Sequence, residues 1–237
     1  MEQTTRRRVD QGPEAIPAPF FCSLGAVRTP VLDVLRPALH GVSRLYFGLR
    51  LRGTEHIPAQ GPLIITPNHQ TFADPPLVTI PVRRRVYYMA WDRLFDIHGL
   101  SWAIRRLRAF PVDLEGRDSR ATREAMRILE AGAAVMIFPE AGRSVDGRVG
   151  RFKPGAFRLA VSLEAPVLPV TIAGGWESWP PGRLLPRPGR ITITYHPPLA
   201  ANPSLEPRAA ARDLADRARA VIEGALPEDQ ARRSSTR

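Results

Sequence analysis

From Gly53 onward the chain alternates short apolar runs with stretches of helical period. PLIIT (62–66), VYYMAW (86–91), AVMIF (134–138), PVLPVTIA (166–173) and ITITY (191–195) read as strands, with a weaker one at AFPVD (109–113). Runs this short and this continuously apolar suit strands covered on both faces. Between them, DSRATREAMRILEAG (118–132) has Asp118 to cap its start, Ala121, Ala125, Ile128 and Leu129 on one face, and Gly132 to close its end. Further helices are expected from Pro154 through Leu163 and from about Glu206 to Gly224. Strands separated by helices predict an α/β fold: a single domain whose mixed, largely buried sheet is flanked by helices.

Before that pattern, residues 24–52 mix apolar residues with arginines at loosely helical spacing, interrupted by Pro30 and Pro37. This N-terminal helical segment fits either a layer packed on the core or an amphipathic anchor in a membrane interface, with Tyr46 and Phe47 beneath the headgroups. Residues 1–23 and 227–237 are polar, Pro- or Arg-rich and without apolar period, so they read as mobile tails around a domain spanning 53–226.

Length and composition agree with one domain, since 237 residues can bury a single large core. The single cysteine, Cys22, has no internal partner for a disulfide, which argues against a stapled secreted module. No run of about 18 apolar residues supports a transmembrane helix, and the basic start leads into proline and charge rather than a signal core. The net charge of +11 comes almost wholly from arginine, Lys153 being the sole lysine. Such a field attracts phosphate in any form: nucleic acid, an anionic bilayer, or a small phosphorylated substrate.

Candidate chemistry lies first in TPNHQTFADPP (66–76). A strand ending at Thr66 delivers Asn68 and His69 to the sheet's edge, where open α/β sheets bind ligands. Five residues on, Asp74 precedes Pro75, a residue suited to the first helical turn, so Asp74 has a structural role as an N-cap. A carboxylate beside an imidazole also fixes the ring's tautomer and leaves the opposite nitrogen free to accept a proton. No serine or cysteine is paired with it, so a nucleophilic hydroxyl would arrive on the substrate. Read alone, the stretch favours a capping aspartate beside a histidine that bonds only the backbone.

The second constellation is FPEAGRSVDGRVGRFKPGA (138–156), where Glu140, Arg143, Arg148, Arg151 and Lys153 share a loop with Gly142, Gly147 and Gly150. Glycines admit an anion to backbone N–H groups and arginine forks suit phosphate oxygens. By itself this loop fits a solvated segment carrying a Glu140–Arg143 pair.

Together, NHQTFAD (Asn68–Asp74) and FPEAGRS (Phe138–Ser144) resemble the glycerolipid acyltransferases, the 1-acylglycerol-3-phosphate acyltransferase family, with N-H-x-x-x-x-D followed by F-P-E-G-T-R-S. His69 and Glu140 stand 71 residues apart. KPGA (Lys153–Ala156) and VLPV (Val167–Val170) extend the resemblance, which covers roughly residues 50–200 in order. Two departures stand out: Ala141 and Gly142 replace Gly-Thr, and Leu114 stands where the family often has an arginine, with Arg117 three residues later.

The resemblance implies transfer of an acyl group from acyl-CoA or acyl carrier protein to a lysophospholipid hydroxyl, with His69 as base and Asp74 orienting it. It implies that Glu140, Gly142, Arg143 and Ser144 bind the acceptor headgroup, helped by Lys153 and Arg117. Backbone N–H groups at the start of the helix after Pro75 are candidates for the oxyanion. No metal and no cofactor beyond the acyl donor is called for. The arginine excess would then hold the protein peripherally on an anionic membrane, at its cytoplasmic face. Rival readings are an acyl-thioester hydrolase using His69 to activate water, an acyltransferase with another hydroxylated lipid acceptor, and a lipid-surface binding protein without catalysis. A nucleic-acid module would explain the charge but not the two motifs, and zinc spacing and RNP-like aromatics are missing from it.

Overall fold

A computed structural model describes residues 30–113, 119–227 and 230. Asp118, Leu114, Arg117, Cys22 and most of both expected tails lie outside the described residues. Seven strands form one mixed sheet: β1 (Arg50–Arg52), β2 (Leu63–Pro67), β3 (Val86–Trp91), β4 (Ala109–Val112), β5 (Ala134–Met136), β6 (Val167–Ala173) and β7 (Thr192–Tyr195). Their order is β1-β7-β6-β2-β5-β3-β4. The block from β6 to β4 is parallel throughout; β7 runs antiparallel to β6, and β1 lies parallel to β7.

Alternating side chains along the central strands feed two separate cores, as the period of two requires. Ile64, Val135 and Val167 face one side, against Ala125, Ile128 and Leu129 of α4 (Ser119–Glu130), Phe157 of α5 (Gly155–Ser162) and the alanine-rich face of α7 (Pro207–Gly224). Leu63, Ile65, Met136, Leu168 and Val170 face the other, against Phe47 of α1 (Pro30–Phe47) and Leu77 and Val78 of α2 (Asp74–Thr79). Two short helices, α3 (Leu100–Arg106) and α6 (Gly175–Ser178), complete the set, with single 3₁₀ turns at Thr54–His56 and Asp92–Phe95.

Near the N-terminus the expectation needs correction in two places. Pro37 does not interrupt α1, which continues across it from Pro30; the proline removes one backbone donor but faces solvent, where its ring meets no packed neighbour. Pro30 occupies the first helical position, where no N–H is missed. Helix then ends at Phe47, and Arg50–Arg52, expected to be helical, pairs with β7 as an edge strand. Of α1, Ser43 and Phe47 are buried against the sheet, while Leu35, Val42 and Leu45 remain exposed. Among the described residues no helix is long and apolar enough to cross a membrane.

Candidate active site

Parallel strands β2, β5 and β6 end on the same edge of the sheet, and the two sequence motifs meet there. Asn68 leaves β2 without ending the ladder: its side chain donates from Nδ2 to the Ile172 carbonyl (3.0 Å) and accepts the Ile172 N–H at Oδ1 (2.7 Å). A buried asparagine thereby does the work of a peptide unit and fixes the direction in which the next residue leaves the strand.

That residue is His69. Its Nδ1–H donates to Oδ2 of Asp74 at 2.9 Å, and since a carboxylate only accepts, the opposite Nε2 is left with its lone pair. The ring retains 18% exposure, whereas Asp74 is fully buried. Its carboxylate gathers a ring of donors: Gln70 N (2.6 Å) and Thr71 N (2.8 Å) also reach Oδ2, and Thr71 Oγ1 reaches Oδ1 (2.6 Å). Asp74 is therefore not the N-cap of α2, as the sequence suggested. It turns back into the preceding turn, because Pro75 and Pro76 present no N–H for a cap to satisfy. The start of α2 offers no free oxyanion donor either: Pro75 and Pro76 have no N–H, Asp74 N bonds Thr71 O and Leu77 N bonds Ala73 O.

The second motif builds the floor under this histidine. Phe138 stacks on the imidazole with ring centroids 3.9 Å apart. Ser144 N donates to His69 O at 2.8 Å, and His69 N donates to Oε1 of Glu140 at 3.0 Å. The other Glu140 oxygen takes Gly150 N at 2.8 Å. Glu140 is thus not paired with Arg143; both of its oxygens hold backbone amides. A Cβ at Gly150 would lie 2.9 Å from Oε2 of Glu140, so glycine is what permits this approach. Arg219 of α7 secures the same loop through Gly150 O.

Burial pushes the Glu140 carboxyl up to about 7, with the Asp74 charge adding to the rise and the two backbone N–H groups opposing it. The folded state then binds this proton more tightly than the unfolded chain, so stability falls as pH climbs from about 4.5 towards 7. Relative to Glu140→Gln, whose amide does not titrate, the wild type is expected to lose about 2 kcal/mol of unfolding free energy between about pH 5 and pH 8. Denaturant titrations across that range check it; parallel curves for the two proteins would refute the assignment.

Of the remaining candidate residues, Arg143 sits half-buried with its guanidinium 3.6 Å from the centroid of Phe72, which places a cation beside the His69 turn. Ser144 is buried and donates its hydroxyl to Asp146. Gly142 is exposed with open space around it; the positive-φ positions in this loop belong to Ala141 and Gly147. Lys153 donates its backbone N–H to Pro139 O while its side chain is exposed. Arg117 falls outside the described residues. Sequence reasoning missed Thr71 and Phe138 as contacts of the pair; a threonine three residues before a buried aspartate was the available signal for the first. Among the described residues no cluster of three or more His, Cys, Asp or Glu is arranged to hold a metal. A cleft of about 540 Å³ near Arg84 lies at the opposite end of the sheet, and that guanidinium is spent on the Pro58, Gly61 and Gly132 carbonyls.

A family model described as acyltransferase matches residues 48–173, which holds the elements from β1 to the end of β6. The chloroplastic 1-acyl-sn-glycerol-3-phosphate acyltransferase of Arabidopsis thaliana is 29% identical over 209 residues, covering 76% of this chain and 58% of its own length. The 1-acyl-sn-glycerol-3-phosphate acyltransferase of Pseudomonas aeruginosa is 28% identical, covering 79% of this chain and 73% of its own. The crystal structure of the 1-acyl-sn-glycerophosphate acyltransferase PlsC from Thermotoga maritima superposes with a TM-score of 0.65 at 31% identity, over 81% of this chain and 80% of that one. The chain spans about half the length of the chloroplast relatives, 58% of the Arabidopsis protein and 46% of the one from Brassica napus.

Proposed function

Because the chain belongs to the acyltransferase family, we propose that it moves a fatty acyl group from an acyl thioester to the hydroxyl of a lysophospholipid. The acceptor in this reading is 1-acylglycerol-3-phosphate, the product phosphatidic acid, and the donor acyl-CoA or acyl carrier protein. One observation carries the reading: an imidazole whose Nδ1 is committed to a buried carboxylate, leaving Nε2 as an acceptor on a partly exposed face.

Nε2 of His69 removes the acceptor's hydroxyl proton as that oxygen bonds to the thioester carbon. The carbonyl becomes a tetrahedral oxyanion, which collapses with cleavage of the C–S bond; the leaving thiolate takes the proton back from the imidazolium. Asp74 stabilises the imidazolium in between. General-base help of this kind is worth about 10²–10⁴ in rate. Arg143 is the group best placed for the acceptor's phosphate, with Gly142 admitting it to the loop and Lys153 at the rim. Glu140 acts here as a positioning residue, since its oxygens face backbone amides. The reading needs no metal or further cofactor. The exposed apolar side of α1 and the arginine excess support peripheral docking on an anionic membrane, at the cytoplasmic face.

The test is thiol release from palmitoyl-CoA with and without lysophosphatidic acid, the lipids being separated afterwards. Release that depends on the acceptor and yields a diacyl product is the expected result. Release indifferent to the acceptor would transfer the site to thioester hydrolysis, and turnover only with another lysolipid would reassign the acceptor.

A further inference from the structure

Strand directions bring one more segment to the catalytic edge. β6 runs parallel to β2 and ends at Ala173; β7, antiparallel to it, begins at Thr192. The connection between them therefore crosses the end of the sheet where His69 lies. It contains WPPGRLLPRPGR (179–190), and from Ser178 to Leu205 the chain has no acidic residue.

This connection is built, not slack. Arg187 N donates to Ser178 O (2.9 Å), Trp179 Nε1 to Arg183 O (2.9 Å), Arg183 Nε to Leu185 O (3.1 Å) and Tyr46 Oη of α1 to Pro186 O (3.0 Å). The carbonyls of Arg183, Leu185 and Pro186 are thereby bonded, yet Leu184 is 88% exposed and Leu185 70%. Two adjacent leucines held outward by an ordered backbone are an unmet apolar surface. Exposed Arg183, Arg187 and Arg190 flank them, and Leu45 of α1, 90% exposed, lies one residue from the Tyr46 tether. At the other end of the loop, Trp179 meets Phe72 edge to face (6.1 Å), and Phe72 carries Arg143.

We propose that residues 179–190 form a membrane-docking wedge: Leu184 and Leu185 enter the apolar margin of an anionic bilayer while the arginines engage its phosphates. Apolar tips ringed by cations suit that one surface, since an uncharged apolar partner would leave three guanidiniums without counter-charge. Through Trp179 and Phe72 the wedge turns the His69 face towards the lipid, so that an acceptor reaches Nε2 sideways from the leaflet. The inference rests on the lipid-acceptor reading above for its purpose, though not for its binding surface.

Flotation of the full chain with phosphatidylcholine vesicles containing about 30% phosphatidylglycerol tests it directly. Leu184→Ser/Leu185→Ser is expected to lower partitioning about tenfold or more. Leu205→Ser serves as a control, because β7 ends at Tyr195 and carries that leucine to the opposite end of the sheet; it should bind as wild type does. Turnover is read in parallel on a short-chain dispersed lysophosphatidate and on one embedded in the vesicles. Loss confined to the embedded acceptor supports the wedge. Equal loss on both, unchanged flotation, or a wild-type dimer that the double substitution dissolves would each overturn it, the last assigning the leucines to a second copy. Should the wild type acylate neither acceptor, the acyltransfer reading fails, while flotation still decides the wedge.

Discussion

His69→Ala is expected to lower acceptor-dependent thioester turnover by about 10²–10⁴-fold while leaving the fold in place. The two halves of this expectation come from different atoms. In the proposed reaction turnover needs Nε2, which no neighbouring group replaces: Asp74 is fully buried behind the ring, and Glu140 holds two backbone amides. Stability depends on the residue's backbone, whose N–H and carbonyl keep their bonds to Glu140 and Ser144 after the ring is cut away. Asp74 retains Gln70 N, Thr71 N and Thr71 Oγ1. What is lost is one hydrogen bond and the stack on Phe138, together about 1–2 kcal/mol, a shift of a few degrees in melting temperature. Initial rates and a thermal melt on the same preparation check both halves. A rate close to wild type would remove His69 from the mechanism, and a collapse of the melt would make the histidine structural.

The central strands were readable because β2, β5 and β6 are buried on both faces, so their apolar runs are continuous and short. β1 was not, since Arg-Leu-Arg at an edge half-buries only its middle residue and reads as the end of the helical segment before it. α3 was hidden for a related reason: LSWAIRR buries no side chain fully, and its period is set by partial packing. In the site, the meeting of His69 and Asp74 follows from local spacing, and the motif resemblance identified both. The orientation of Asp74 hinges on two prolines that deny it a cap, which the sequence displays but the N-cap rule reads the other way. Glu140 was beyond local reading altogether. Its partners are backbone amides 71 residues earlier and ten residues later, and no side-chain pattern announces a backbone partner. A chemically expressive residue in a recognisable motif is easily assigned to substrate when the bonds it makes in the fold are to the backbone amides of His69 and Gly150.

Asp74→Asn is expected to cost both rate and stability, and the pattern of donors says how each loss arises. Three donors, His69 Nδ1, Gln70 N and Thr71 N, converge on Oδ2, whereas Oδ1 meets only the Thr71 hydroxyl. An amide has one oxygen, so it must occupy the Oδ2 position and direct its NH₂ at Thr71 Oγ1, the sole neighbour able to reverse and accept. The turn survives in outline, but three charge-assisted bonds become neutral ones, a loss of about 2–4 kcal/mol. The ring keeps its tautomer, because the amide oxygen still receives Nδ1–H. Its cationic form, however, loses the opposing charge, and an ion pair at about 4 Å in an effective dielectric of about 20 is worth about 4 kcal/mol. Turnover should therefore fall about 10²–10⁴-fold with the KM for the acceptor little changed, because the missing interaction operates only once the imidazolium has formed. Rate, KM and denaturant stability measured together separate the roles: a stability loss with kcat intact would make Asp74 a turn-former alone. A kcat loss much larger than the stability loss can accommodate is the signature of a carboxylate that answers the proton His69 takes.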